Sequence, residues 1–129
     1  MLKYPRVVAI VDDNACTLKA FARLLSVCGY RVQLFESAEQ YLASAHVSKA
    51  SCAVIDIDLG CGMSGLDLAK KISSSGHAIP IIFITGGQDP AIRQQAMDIG
   101  CVAFLEKPFA GDQLLDAIVK SGGSRSIPP

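Results

Sequence analysis

The chain has no excess of charge of either sign: 12 lysines and arginines stand against 12 aspartates and glutamates in 129 residues. That balance gives no electrostatic reason to bind nucleic acid directly or to sit on an anionic membrane. No apolar run approaches the ~20 residues needed to span a bilayer. The N-terminus lacks the charged-then-apolar pattern of a secretory leader. The chain also has no CxxC pair, and its five cysteines (Cys16, Cys28, Cys52, Cys61 and Cys101) are odd in number. Neither a zinc site nor a disulfide framework is supported, and buried free thiols in a reducing compartment are the expectation. His46 and His77 fall in connections, without the spacing of ligands or of a catalytic pair. There are no internal repeats, and biased composition is confined to the Gly-, Ser- and Pro-rich stretch 121–129. These absences leave one cytoplasmic domain, residues 1–120, followed by a flexible tail or linker at 121–129.

Half of the residues are hydrophobic, enough for a substantial core at this length. They come in short β-branched runs that alternate with helical spacing. Strands are expected at Arg6–Val11, Tyr30–Phe35, Cys52–Ile57, Ile79–Thr85 and Val102–Leu105. The first helix carries Leu18, Phe21, Ala22 and Leu25 on one face and closes at Gly29. Ser37 to Gln40 has capping-box spacing and opens a helix through about Ala45. Ser64 caps a third helix that runs to the serines before Gly76. Asp89-Pro90 starts a fourth, stopped by Gly100. Asp112–Lys120 is the last. Five β-α units in strict alternation imply a doubly wound α/β fold, a five-stranded parallel sheet with helices on both faces.

Ligands gather beyond the carboxyl ends of such strands. Strand one ends at Asp12-Asp13, strand three at Asp56, strand four at Thr85, and strand five just before Lys107. Each alone has an ordinary reading: a turn, a helix cap, a strand end, a solvated lysine. Together they place three carboxylates, a hydroxyl and an ammonium on one rim. The carboxylates repel one another, and a divalent cation relieves that conflict. Their all-oxygen character points to Mg²⁺, with Mn²⁺ as a substitute, rather than zinc. A carboxylate in this setting can attack phosphorus, with Asp56 as nucleophile and the cation, Lys107 and Thr85 meeting the phosphoryl oxygens.

The chain resembles the receiver domains of bacterial two-component response regulators. The residues that carry the resemblance are Val11-Asp12-Asp13, Val54-Ile55-Asp56, Gly62-Met63-Ser64-Gly65, Ile82-Phe83-Ile84-Thr85-Gly86 and Leu105-Glu106-Lys107-Pro108-Phe109. They span about Arg6 to Lys120. The resemblance implies a flavodoxin-like fold and phosphorylation of Asp56 by a sensor histidine kinase or phosphotransfer protein. It implies Mg²⁺ held by Asp13, Asp56 and the backbone carbonyl of Asp58, with Asp12 acting through water. Thr85 and Phe104 fall at switch positions, and Lys107-Pro108 falls where a cis peptide often occurs. The output implied is a changed surface on helix four, strand five and helix five, for a homodimer or an output domain. Such a domain is a signalling phosphoacceptor and not a conventional enzyme.

Two features depart from the pattern. Gly60 replaces a proline and Cys61 is an apparent insertion, and Asp58 stands where arginine is frequent. Two other readings compete. Asp56-Ile57-Asp58 resembles the nucleophile and acid of haloacid-dehalogenase-type phosphatases, although here the acidic pair comes first and there is no cap domain. A degenerate receiver serving only as an interaction module is the other.

Overall fold

The computed structural model describes residues 6–44, 50–76 and 79–122. The elements in order are β1 Val7–Val11, α1 Ala15–Val27, β2 Arg31–Phe35, α2 Ala38–Ser44, β3 Cys52–Asp56, α3 Gly65–Ser73, β4 Ile81–Thr85, α4 Pro90–Ile99, β5 Ala103–Glu106 and α5 Gly111–Gly122. The strands form one parallel sheet in the order β2-β1-β3-β4-β5. The order reverses between β1 and β3, and in open α/β sheets that reversal opens the ligand crevice.

Strand alternation divides the core in two, because successive side chains leave a strand on opposite faces. Ala9, Val11, Ala53, Ile55, Ile81 and Phe83 pack with Leu66, Leu68, Ile72 and Ala96 of α3 and α4. Val8, Ile10, Val54, Ile82 and Ile84 pack with Leu18 and Leu25 of α1 and Leu114 and Ile118 of α5. β3 and β4 are buried along their whole length, as the central strands of a covered sheet must be.

Element ends follow hydrogen-bond supply. β4 starts at Ile81 instead of Ile79: Pro80 has no N–H, and its carbonyl accepts from Ala53. β5 starts one residue later than expected, after Val102, whose N–H donates to Ile81. α1 ends at Val27. The N–H groups of Cys28 and Gly29 bond back to Leu25 and Ser26, and Gly29 takes φ +94°. At α2, Ser37 Oγ accepts from Gln40 N at 3.0 Å, while Gln40 Oε1 reaches Glu36 N at 2.8 Å instead of the capping residue's own amide. α5 extends two residues past Lys120, to Gly122. Ala45, His46, His77 and residues 123–129 lie outside the described residues. The expectation of buried thiols holds for Cys52 but not for Cys16 and Cys28, which are exposed; Cys101 is half-buried, and Cys61, in the loop after β3, is exposed as its glycine-rich surroundings imply. Cys16 stands on the solvent side of α1, Cys28 at its end, and Cys61 in a surface loop.

One contact locks α3 to the mouth of β3. The Gly65 N–H donates to the Ile57 carbonyl at 2.9 Å, and a Cβ on Gly65 would lie 2.2 Å from the Asp56 carbonyl oxygen. No side chain fits between helix and strand there. Gly65→Ala should therefore lower unfolding free energy by about 2–3 kcal/mol in urea titration. An unchanged midpoint would show that the backbone yields freely at this point.

Candidate functional site

Asp12, Asp13 and Asp56 converge at the β1/β3 reversal, each offering one carboxylate oxygen with all three within 4.8 Å of one another. Asp12 and Asp56 are almost fully buried, at 1% and 5% exposure. Their position follows from alternation. Asp12 continues the face of Val8 and Ile10, Asp56 that of Cys52 and Val54, and Lys107 that of Ala103 and Leu105. All three side chains thus emerge on the α1/α5 side. Lys107 Nζ lies 3.1 Å from Asp56 Oδ2 and 3.5 Å from Asp12 Oδ2. The Lys107-Pro108 peptide is cis.

Each buried oxygen can be followed. Asp56 Oδ1 accepts from Asp58 N at 2.9 Å and Oδ2 from Lys107. Asp12 Oδ1 accepts from Asn14 N at 2.9 Å, so the turn reading of Asp12 is also true, while the α1 cap is Asn14. Asp12 Oδ2 is buried and has no hydrogen bond; the lysine at 3.5 Å gives it charge but not a bond. Burial is the main reason the Asp56 carboxyl is pushed up, to about 6 from an ordinary 3.8. The Asp58 N–H and the Lys107 bond oppose that rise, and the Asp12 charge adds to it. Desolvation pulls the Lys107 ammonium down, but the Asp56 and Asp12 carboxylates outweigh it and the net direction is up.

Thr85 occupies the other side. It shares the face of Ile81 and Phe83. Its buried hydroxyl accepts from Gly87 N at 3.1 Å. Phe104 packs on this same side, and both line a cavity of about 630 Å³ with Ile57, Leu66 and Ile92. Arg93 covers the Phe104 ring at 4.9 Å and pairs with Glu106 at 3.6 Å. Asp58 is exposed, its carboxylate lies outside the acidic cluster, and Oδ1 accepts from Gly60 N at 3.4 Å. The sequence reading placed Thr85 and Lys107 on one rim without seeing that they leave opposite faces. Parity along β4 and β5 carries that signal. Glu39 of α2 was missed entirely: its Oε2 accepts from Met63 N at 2.9 Å across the loop after β3.

The donor set suits a hard divalent cation. Three carboxylates approach one point, and Asp12 Oδ2 is a buried acceptor with no hydrogen bond. A parallel sheet with an acidic cluster at its reversal point defines an α/β domain with a cation-competent site at the carboxyl edge. Comparison with known proteins then gives the family. The profile of the response regulator receiver domain matches residues 8–119. The response regulator protein TmoT of Ectopseudomonas mendocina is 38% identical over 112 residues, 87% of this chain and 50% of TmoT. The transcriptional regulatory protein FixJ of Bradyrhizobium diazoefficiens is 32% identical over 119 residues, 92% of this chain and 57% of FixJ. The crystal structure of FixJ-N superposes with a TM-score of 0.84 at 33% identity, covering 96% of this chain and 99% of that one. The chain belongs to the response regulator receiver family, and it spans about half the length of these curated relatives. Receivers are signalling modules that catalyse their own phosphorylation and dephosphorylation, which sets aside the phosphatase alternative. Among the described residues no helix is long and apolar enough to cross a membrane.

The raised Asp56 carboxyl has a consequence for stability. A carboxyl whose pKa is higher in the folded state favours folding while protonated. That contribution is complete below pH 3.8 and is lost as pH rises through about 6. In metal-free protein, the stability of wild type relative to Asp56→Asn should fall by ~2 kcal/mol between pH 4 and 6.5, then level off. Urea titrations across that range check it. A difference that does not vary with pH would show that Asp56 is not destabilised by its surroundings.

Proposed function

We propose that this domain accepts a phosphoryl group on Asp56 from the phosphohistidine of a sensor histidine kinase or phosphotransfer protein. The observation that carries this is the Asp12–Asp56–Lys107 arrangement: a nucleophile held from two sides beside an ammonium and a cation-competent pair. The Asp58 N–H and Lys107 hold the Asp56 carboxylate in one orientation, so transfer needs little reorganisation. One carboxylate oxygen attacks phosphorus, the P–N bond to histidine breaks, and an aspartyl phosphate forms. Lys107 then meets the negative oxygens of the transferred group. Asp12, Asp13 and Asp56 would hold Mg²⁺ or Mn²⁺, joined by the Asp58 backbone carbonyl. When bound, the cation supplies positive charge to the phosphoryl oxygens and offsets carboxylate repulsion.

The switch lies across the sheet. Thr85 exchanges the Gly87 amide for the phosphoryl oxygen, and Phe104 moves into the adjoining cavity, where there is room for its ring. That motion breaks the Arg93 contacts to Phe104 and Glu106 and alters the face of α4, β5 and α5. Met97 on α4, Val102 before β5 and Val119 on α5 are exposed apolar side chains that support a dimer or output-domain contact there. Transcriptional regulation by the FixJ relative supports an output in gene control exerted through another domain, this one not touching nucleic acid. Residues 1–122 act as the receiver unit, since α5 runs on to Gly122, and the chain beyond it as a tail or linker.

Incubation with acetyl phosphate and Mg²⁺ should add one phosphate to the intact mass of wild type and none to Asp56→Asn. Chelation of the metal should abolish the gain, and Lys107→Ala should slow it about a hundredfold. Amide spectra of α4, β5 and α5 should shift together with the phosphorylated fraction. A phosphate retained by Asp56→Asn would move the acceptor elsewhere, and unmoved spectra would remove the switch.

A further inference from the structure

The loop between β3 and α3 is tethered by a carboxylate of α2 and passes close to a carboxylate of the acidic cluster. On the far side, Glu39 Oε2 in the first turn of α2 accepts from Met63 N at 2.9 Å. The bond pulls the Glu39 carboxyl below its ordinary range. Gly62 lies flush on the same group. It takes φ +85°, and a Cβ there would come within 2.9 Å of Glu39 Oε2 and 3.3 Å of Oε1. On the near side, Gly60 takes φ +72°, and a Cβ there would sit 3.0 Å from Asp13 Oδ2. Asp13 is the exposed member of the acidic cluster, so Gly60 passes close beside a carboxylate that burial does not hold. The two glycines let the segment pass close to both acids.

We infer that Glu39 is a positioning residue for the cation site: it anchors Gly62-Met63 so that Gly60 holds the Asp13 carboxylate in its ligating orientation. This rests on the cation reading given above. Glu39 does not touch the cluster; it acts through the loop. The acceptor atom matters here, not the negative charge, so glutamine can replace glutamate and alanine cannot.

The test is Mg²⁺ binding by calorimetry to wild type, Glu39→Ala and Glu39→Gln, with Met63 amide hydrogen exchange measured on metal-free protein. Glu39→Ala should weaken Mg²⁺ about tenfold, as loss of a supporting contact behind a ligand does. It should also speed Met63 exchange by a similar factor. Glu39→Gln should stay within about twofold of wild type in both. Equal Mg²⁺ affinity for Glu39→Ala and wild type overturns the inference even if Met63 exchange rises, since the tether would then not reach Asp13. Equal weakening in both variants overturns it too, because charge alone would explain the effect. Absence of Mg²⁺ binding by wild type would instead remove the cation reading, and this inference with it.

Discussion

Two buried carboxylates face one lysine across the reversal point of a parallel sheet, and the rest of the site answers to that imbalance. Asp12 and Asp56 both emerge on the α1/α5 side, almost fully buried, and among the described residues Lys107 alone pairs with them, at 3.5 and 3.1 Å. An ammonium cannot satisfy both acids and Asp13 as well. Burial raises the Asp56 carboxyl, and the imbalance adds to that rise through the Asp12 charge and leaves Asp12 Oδ2 without a hydrogen bond. It also makes the site receptive to a divalent cation, because each added positive charge relieves repulsion already present. The fold sustains this strain through its central strands, which are buried from end to end, and through α3, seated on the β3 backbone at Gly65.

The two sides of the sheet divide the work. Charge sits with Asp12, Asp56 and Lys107 on the α1/α5 side, while Thr85, Phe104 and the cavity lie on the α3/α4 side. The sides meet at the strand ends, where Lys107 N donates to the Thr85 carbonyl at 2.7 Å. A group added at Asp56 therefore bears on Lys107 directly, and on the backbone of Thr85 one bond further on. That single backbone bond links the strand end that carries Lys107 to the one that carries Thr85.

Much of this was legible in the sequence because period-two apolar runs and capped helices are local signals. Asp89-Pro90, Ser64 and Gly100 each marked a helix end where the structure has one. The convergence of Asp12, Asp13, Asp56 and Lys107 was also legible, since parallel topology brings all strand ends to one edge. What escaped depends on geometry between elements. The opposite facing of Thr85 and Lys107 needed parity counted along β4 and β5. The Glu39–Met63 bond spans 24 residues with no motif to announce it. The exposure of Cys16 and Cys28 depends on which face of α1 turned to solvent, and cysteine's usual burial misled there.

Burial and crowding hold the Asp56 carboxyl well above an ordinary aspartate in the metal-free domain, and a cation should relieve this. The most direct measurement is a carbon-13 carboxyl titration of Asp56 by NMR, without metal and with saturating Mg²⁺. A midpoint near 6 in metal-free protein that moves down with Mg²⁺ is the expected result. A midpoint near 3.8 without metal, or one that Mg²⁺ leaves in place, would contradict it.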